Sequence, residues 1–139
     1  MEAVAIRFVL DSDVMIDLFA GQEPAGSVIP NLLEMELAGT TAVTAYELYS
    51  GASRASEREW LDAFLTTLTI FPLDTQSARR AGAIDLSLRR RGGPINPGDN
   101  LIAGICLTHD LALVTRNVSH FRRIADLKVV TPADLFGTG

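Results

Sequence analysis

Three acidic residues of this chain lie where an apolar segment gives way to a helix. Asp11 directly follows an apolar run, and Glu47 and Asp99 lie in the first turns of two later predicted helices. Asn117 follows another apolar run. Clustered carboxylates repel one another unless one is protonated or a cation joins them, and oxygen donors suit Mg²⁺ or Mn²⁺. These residues predict a divalent metal site if the fold brings them together.

The elements that must position these residues alternate between strands and helices. Apolar runs predict strands over 6–10, 40–43, 69–71, 111–115 and 128–130. Helical spacing and end signals predict helices over 12–20, 29–37, 44–54, 75–91 and 118–124, with others beginning at 56 and 97 and with Gly39 ending the second. This alternation predicts a three-layer α/β/α domain over 1–139, with a central parallel sheet of about five strands.

Ligands of such sheets bind outside the carboxyl ends of the strands, so the residues delivered there are the candidates. They are Asp11 and Asp13 after the first strand, Thr44 and Glu47 after the second, Thr115, Arg116 and Asn117 after the fourth, and Asp99 from the helix before it. Metal ions held there could activate water and orient a phosphate for in-line displacement, which favours phosphodiester hydrolysis. Helix N-termini at the same edge add donors for phosphate oxygens.

Helix capping offers another interpretation of each residue. Asp11 and Asn117 can cap the helices that follow them, Thr44 and Glu47 match a capping box, and Asp99 suits a helix N-terminus. Taken singly, each residue leaves both interpretations open. Caps can occur at any helix start, whereas these residues fall at one edge of one sheet, which favours a site.

Charge and composition restrict the partners. The net charge is −5 over 139 residues, which argues against a surface that attracts nucleic acid everywhere. Eleven of the 12 basic residues are arginines, and they cluster at 79–80, 89–91 and 122–123. These clusters suit either phosphate contact or solvated helix faces.

Other features indicate a cytoplasmic protein without a membrane segment. No apolar stretch reaches the length of a membrane span, and Glu2 precedes a short apolar run unlike an export signal. Cys106, the lone cysteine, has apolar neighbours and is predicted to be a buried packing residue. His109 and His120 are predicted to be peripheral, although His120 could approach the edge through the turn at Asn117.

Four segments, in this order, resemble the PIN-domain ribonucleases, specifically the VapC-type toxins of type II toxin–antitoxin systems. They are VLDSDVMIDLF (9–19), TAVTAYELYSGA (41–52), GDNLIAGICL (98–107) and LVTRNVSHF (113–121). The resemblance spans about Phe8 to Pro132 and implies an Mg²⁺-dependent endoribonuclease, with Mn²⁺ as a possible substitute, that cuts tRNA or rRNA.

By position, the resemblance implies that Asp11, Glu47 and Asp99 hold the metal and that Asn117 is the fourth catalytic residue. The family has an aspartate at this position in some relatives and an asparagine in others, and since the amide brings no charge, the resemblance implies a single metal ion until substrate is bound. Asp13 stands where asparagine is commoner and could support the site or add a ligand. Gly104 replaces a commoner alanine with no evident chemical consequence. Around the metal, Asp13, Thr44, Thr115 and Arg116 are expected to support the ligands or contact phosphate.

The resemblance also implies protein partners. Such toxins usually dimerise and are held inactive by a cognate antitoxin, giving a heterotetramer or a larger assembly. A negative surface would recruit a basic antitoxin segment while local arginines bind RNA.

Two alternatives remain from the residues. In a catalytically inactive PIN-like module, the candidate residues would serve only as helix caps, and the acidic edge would bind a protein partner. The Asp-x-Asp pattern at 11–13 also occurs in phosphatases of the haloacid dehalogenase type, and receiver domains share the small parallel sheet. Phosphatases of this type and receiver domains both need a lysine before the last acidic motif. The only lysine of this chain, Lys128, follows Asp99.

Overall fold

The computed structural model describes residues 5–136. Residues 1–4, which include Glu2, and residues 137–139 belong to the predicted domain but lie outside the described residues. The strands are β1 (Phe8–Leu10), β2 (Ala38–Thr41), β3 (Ile70–Phe71), β4 (Ala112–Val114) and β5 (Val129–Val130). The helices are α1 (Ser12–Phe19), α2 (Ala25–Glu34), α3 (Ala42–Gly51), α4 (Ala55–Leu65), α5 (Thr75–Arg90), α6 (Pro97–His109), α7 (Val118–Phe121) and α8 (Pro132–Leu135).

The five strands form one sheet in the order β3-β2-β1-β4-β5, and every neighbouring pair is parallel. β1 is central, with Phe8 in register with Ala38 of β2 on one side and Ala112 of β4 on the other. The chain moves outward from β1 in one direction to β3 and then returns to the opposite side for β4. The reversal places a topological switch point between β1 and β4, where parallel sheets commonly bind ligands.

Helices cover both faces of the sheet because successive strand residues point to opposite sides. Leu10 and Val114 lie in one core, packed by residues of α1, α2, α3 and α4. Val9 and Leu113 lie in the other, packed mainly by α5, α6 and α7. The predicted three-layer α/β/α fold with a five-stranded parallel sheet is therefore confirmed.

Several predicted boundaries were wrong, for local reasons. Gly39 does not end a helix but lies inside β2, and α2 already ends at Glu34, followed by a left-handed residue at Glu36 with φ 58°. α3 begins at Ala42, with Thr41 as its cap, so β2 stops earlier than predicted. α8 was not predicted, although the capping box formed by Thr131 and Asp134 was readable in the sequence.

Gly104 has a structural consequence that the sequence did not reveal. It lies where α6 packs against α5, and a Cβ there would overlap the carbonyl oxygen of Ser77 and come within 2.9 Å of the Ala81 nitrogen. Cys106, in the same helix, is fully buried as predicted, and burial raises the pKa of its thiol to about 12. Between residues 5 and 136, none of the helices has the length and apolarity to span a membrane.

Candidate active site

Asp11 and Thr115 face each other across the switch point, at the ends of β1 and β4. The Thr115 hydroxyl donates to Asp11 Oδ2 at 2.8 Å, and the backbone N–H of Ser12 donates to Oδ1 at 2.8 Å. Asp11 therefore caps α1, as its position predicted. Capping and a site role are compatible here because each carboxylate oxygen has a further lone pair to offer.

Thr115 also links Asp11 to Asp13. Its Oγ1 lies 3.3 Å from Asp13 Oδ2, which accepts in addition from the backbone N–H of Arg116 at 3.0 Å. The single hydroxyl hydrogen favours Asp11, since that contact is the shorter. The same Oγ1 accepts from the backbone N–H of Asn117 at 3.0 Å, which fixes its orientation. The other oxygen of Asp13, Oδ1, is buried without a hydrogen-bond partner within residues 5–136.

Glu47 reaches the same edge from α3, half-buried. The Ser12 side chain lowers the pKa of this carboxyl group, against the larger upward effect of burial, and a Cβ built on Gly98 would lie 3.2 Å from Glu47 Oε2, so the side chain lies against the start of α6. Its Oε1 is buried with no partner among the described residues. The predicted capping box was wrong: Thr41 caps α3 by accepting from the backbone of Thr44, and the fully buried Thr44 hydroxyl pairs with Thr41 at 3.1 Å.

Asp99 lies in the first turn of α6, half-buried, opposite α7. The charge of His120, on α7, acts on Asp99 and lowers its pKa, against the larger upward effect of burial. His120 is exposed, as predicted, yet it is close enough to Asp99 to affect its pKa. The sequence feature that indicated this proximity is its position three residues after Asn117. Asn117 occupies the cap position of α7 without capping it, and its Nδ2 lies 2.9 Å from His120 Nδ1.

Burial dominates the electrostatics of this edge, because it disfavours the ionised form of each carboxyl group. Burial, and secondly the charge of Asp13, raises the pKa of Asp11 to about 7. Burial also raises the pKa of Glu47 and of Asp99, and the charge of Asp13 adds to both increases. A bound cation would oppose every one of these shifts because it stabilises the ionised form.

The donor set fits a hard divalent ion. It consists of carboxylates and an amide, and it includes two buried oxygens, Asp13 Oδ1 and Glu47 Oε1, that have no hydrogen-bond partner between residues 5 and 136. Over 5–136, no three acidic, histidine or cysteine side chains already stand close enough to form a metal shell. An ion would therefore have to draw the carboxylates inward on binding.

Arg116 and Lys128 each pair with an aspartate that is not one of the candidate site acids. The Arg116 guanidinium is exposed and pairs with Asp17 of α1 at 2.8 Å, so only its backbone N–H bonds to Asp13. Lys128 pairs with Asp110 at 3.6 Å. Asp110 caps the C-terminal end of α6, opposite to the end that carries Asp99. The lysine that a phosphatase or receiver site would need is therefore not at the acidic edge.

A parallel α/β domain with carboxylates gathered at its switch point is the class of fold and site found in metal-dependent phosphodiesterases. The model of the PIN domain family matches residues 8–127. The tRNA(fMet)-specific endonuclease VapC of Salmonella typhimurium is 34% identical over 93 residues, covering 64% of this chain and 70% of the relative. Ribonuclease VapC10 of Mycobacterium tuberculosis is 33% identical over 120 residues, covering 86% and 89%.

Solved structures agree with these sequence matches. A chain of the DNA-bound VapBC structure from Salmonella typhimurium superposes with a TM-score of 0.81 at 25% identity, over 92% of this chain and 99% of that one. The chain therefore belongs to the PIN domain family and, within it, to the VapC group. The resemblance read from the four segments is confirmed.

Proposed function

We propose that this protein is an endoribonuclease that hydrolyses RNA phosphodiester bonds with a divalent metal ion, Mg²⁺ or in its place Mn²⁺. The observation that carries the proposal is a pair of buried carboxylate oxygens, one of Asp13 and one of Glu47, that have no hydrogen-bond partner in the described part of the chain. They lie at the same edge as Asp11, whose pKa burial raises to about 7. An acidic cluster of this kind is costly without a cation. Membership of the PIN family supports the reaction type.

In this proposal Asp11 and Asp99 hold the ion directly, Glu47 holds it directly or through water, and Asn117 supports it through water. A bound divalent ion would lower the pKa of water and neutralise charge on the phosphate. The amide of Asn117 brings no negative charge, so a single ion is the arrangement proposed for the free protein.

The surrounding residues orient these ligands. The Thr115 hydroxyl holds Asp11, and the backbone N–H of Arg116 holds Asp13, so both carboxylates are fixed from the β4 side. Thr44 is hydrogen-bonded to Thr41 at the start of α3, and it thereby supports the helix that carries Glu47. Because these hydrogen bonds already restrict the two carboxylates, less conformational entropy is lost when an ion draws the acids together.

The relatives support the substrate and the partner that we propose. The Salmonella relative is named for cleavage of tRNA(fMet), and solved neighbours are VapBC toxin–antitoxin complexes. We therefore infer a toxin that cuts tRNA or rRNA, forms a homodimer and is inhibited by a cognate antitoxin in a heterotetramer or larger assembly. The net charge of −5 suits an antitoxin with a basic segment.

The nuclease proposal is tested with purified protein and end-labelled tRNA, with Mg²⁺ or with EDTA. We expect cleavage only with the metal, and its loss in Asp11→Asn and in Asp99→Asn. Glu59→Gln, which removes one charge from the exposed face of α4, is the matched control and should cleave normally. Cleavage that survives both aspartate substitutions, or that proceeds in EDTA, would contradict the proposal.

The inactive binding module predicts a different pattern. Such a protein would bind Mg²⁺ no better than an Asp99→Ala variant in calorimetry and would still bind the antitoxin. The toxin assignment itself is tested by co-expression with a small protein, if one is encoded beside this gene. Growth arrest by this chain alone, and relief by the neighbour, is the expected result, and arrest that the neighbour fails to relieve would contradict it.

A further inference from the structure

Two arginines from distant parts of the chain lock the segment after α5 to the segment after α7. Arg91 Nη2 donates to the carbonyl oxygen of Arg123 at 3.0 Å, and Arg123 Nη1 donates to the carbonyl oxygen of Gly93 at 2.7 Å. A Cβ on Gly93 would overlap the Arg123 guanidinium, so the glycine provides the space in which that group lies. We call these three residues the arginine clamp.

The positive charges of the clamp are held in place without being neutralised. Within residues 5–136, neither Arg91 nor Arg123 has a carboxylate at ion-pair distance, although both are exposed. Both guanidinium groups donate instead to backbone carbonyls. By contrast, Arg89, in the same basic run, pairs with Asp85 at 2.9 Å and is accounted for as a helix-face ion pair. Each clamp guanidinium retains N–H donors for an anion.

The topology places the clamp at the edge of the sheet that carries the acids. α7 begins just beyond the carboxyl end of β4, and its His120 acts on Asp99. Gly93 lies in the short segment that leads from the end of α5 to the first turn of α6. Ile95 and Phe121, from these two segments, are buried in the same core as Ile102 of α6. The clamp therefore flanks, on its α6–α7 side, the acidic crevice, by which we mean the carboxyl edge of the sheet that carries Asp11, Asp13, Glu47 and Asp99.

We propose that the arginine clamp binds the phosphate backbone of the RNA and holds the strand beside the acidic crevice. The inference rests on the proposed nuclease function and names the surface that the substrate contacts. A polyanion approaching carboxylates needs neighbouring positive charge, and guanidinium forks match phosphate oxygens in pairs. Because the backbone bonds fix both forks in advance, little entropy remains to be lost on binding.

Binding is measured apart from cleavage, by fluorescence anisotropy of a fluorescein-labelled tRNA in EDTA. We expect Arg91→Ala and Arg123→Ala each to weaken binding about tenfold. The slope of log affinity against log salt should become shallower by about 0.7 for each phosphate group that the variant no longer neutralises. Arg80→Ala is the matched control, because Arg80 is an exposed arginine of the same helix, α5, but far from the clamp. Its neighbour Ala81 packs against Gly104 in the middle of α6, away from the end of α5 that carries Arg91. It should bind like the wild type.

Gly93→Ala separates the position of the charge from its presence. Its Cβ displaces the flexible end of Arg123 while every charge of the protein remains. We expect weaker RNA binding with an unchanged melting temperature. Wild-type affinity in Gly93→Ala and in the Arg91→Ala, Arg123→Ala double variant, with both folded by circular dichroism, would overturn the clamp.

The remaining outcomes separate the clamp from the nuclease function. Clamp-dependent binding without any Mg²⁺-dependent cleavage would contradict the nuclease and keep the clamp. Mg²⁺-dependent cleavage together with RNA binding that does not depend on the clamp would support the nuclease and contradict the clamp. If the arginine variants lose affinity for the antitoxin but not for tRNA, the surface binds protein, and the proposal is wrong.

Discussion

The hydroxyl of Thr115 donates to Asp11 at 2.8 Å, joining residues that are 104 positions apart in the chain. This bond spans the switch point between β1 and β4, and it connects an acid of raised pKa to a residue whose own oxygen is fixed by the Asn117 backbone. Thr115 thus sets the direction of a carboxylate that is proposed to hold the metal directly.

Thr115→Val is predicted to damage the site without opening a cavity, because valine has nearly the same shape as threonine. Loss of the hydroxyl leaves Asp11 Oδ2 without its donor and the N–H of Asn117 without its acceptor. Metal affinity and RNA cleavage should each fall by about 10- to 100-fold, the usual effect of removing the group that orients a metal ligand. Calorimetry with Mn²⁺ measures the first and tRNA cleavage the second. Thr115→Ser, which keeps the hydroxyl, should remain close to wild type.

The raised pKa of Asp11 predicts that the metal-free protein loses stability as pH rises. The folded state holds the proton up to about pH 7, whereas the unfolded chain releases it near 3.8. The folded state therefore binds more protons, and this stabilisation, on the order of 2 to 4 kcal/mol, is fully present below pH 3.8 and lost as pH approaches 7.

The measurement is urea unfolding in EDTA between about pH 5 and pH 8. Asp11→Asn should flatten the decline, since asparagine does not titrate. Mg²⁺ should stabilise the wild type above about pH 7 and have little effect on the variant. A wild-type curve as flat as that of Asp11→Asn would mean that Asp11 does not titrate in this range.

Asp13→Asn tests whether the additional carboxylate supplies the charge that Asn117 lacks. Asp13 raises the pKa of its three acidic neighbours, so its neutralisation should bring each of them closer to its ordinary value. Asparagine can still accept from the backbone N–H of Arg116, which preserves the turn. We expect Mg²⁺ affinity to fall about tenfold while the metal-free protein becomes more stable at about pH 8. Unchanged Mg²⁺ affinity would assign Asp13 to the fold alone.

The fold could be predicted from the sequence because its signals are short-range. Apolar runs and turn residues identified all five strands, and alternation with helices fixed their parallel arrangement. The end of β2 could not be read, since Thr41 and Thr44 both suit a cap and only the pairing of Thr41 with Phe71 of β3 decides between them. Gly39 was mistaken for a helix stop for a similar reason. A glycine is needed there because the segment before β3 approaches the backbone closely, and this contact between distant parts of the chain leaves no local pattern.

The candidate site was less fully predictable. The sequence indicated Asp11 and Asp99 through topology, because both lie at helix starts, and it indicated Glu47, in the middle of α3, chiefly through the resemblance. The contribution of Ser12 to Glu47 depends on how α1 and α3 pack, and that of His120 to Asp99 depends on how α7 lies against α6. Such relationships between helices leave no periodic pattern in the sequence.

Gly104 and Gly82 offer opposite predictions for the same substitution. Gly104→Ala should destabilise the protein by about 1 to 3 kcal/mol, because the added methyl meets the α5 backbone at Ser77 and Ala81, which cannot move aside as a flexible side chain can. Gly82→Ala, on the exposed side of α5, meets nothing within 4 Å and should stabilise the protein by up to about 1 kcal/mol through helix propensity. Urea unfolding of both variants at fixed pH gives the comparison. Since α5 supports α6 and α6 carries Asp99, Gly104→Ala should also weaken Mg²⁺ binding, whereas Gly82→Ala should leave it unchanged. Equal stability of the two variants would show that α5 and α6 are not packed as closely as the fold requires.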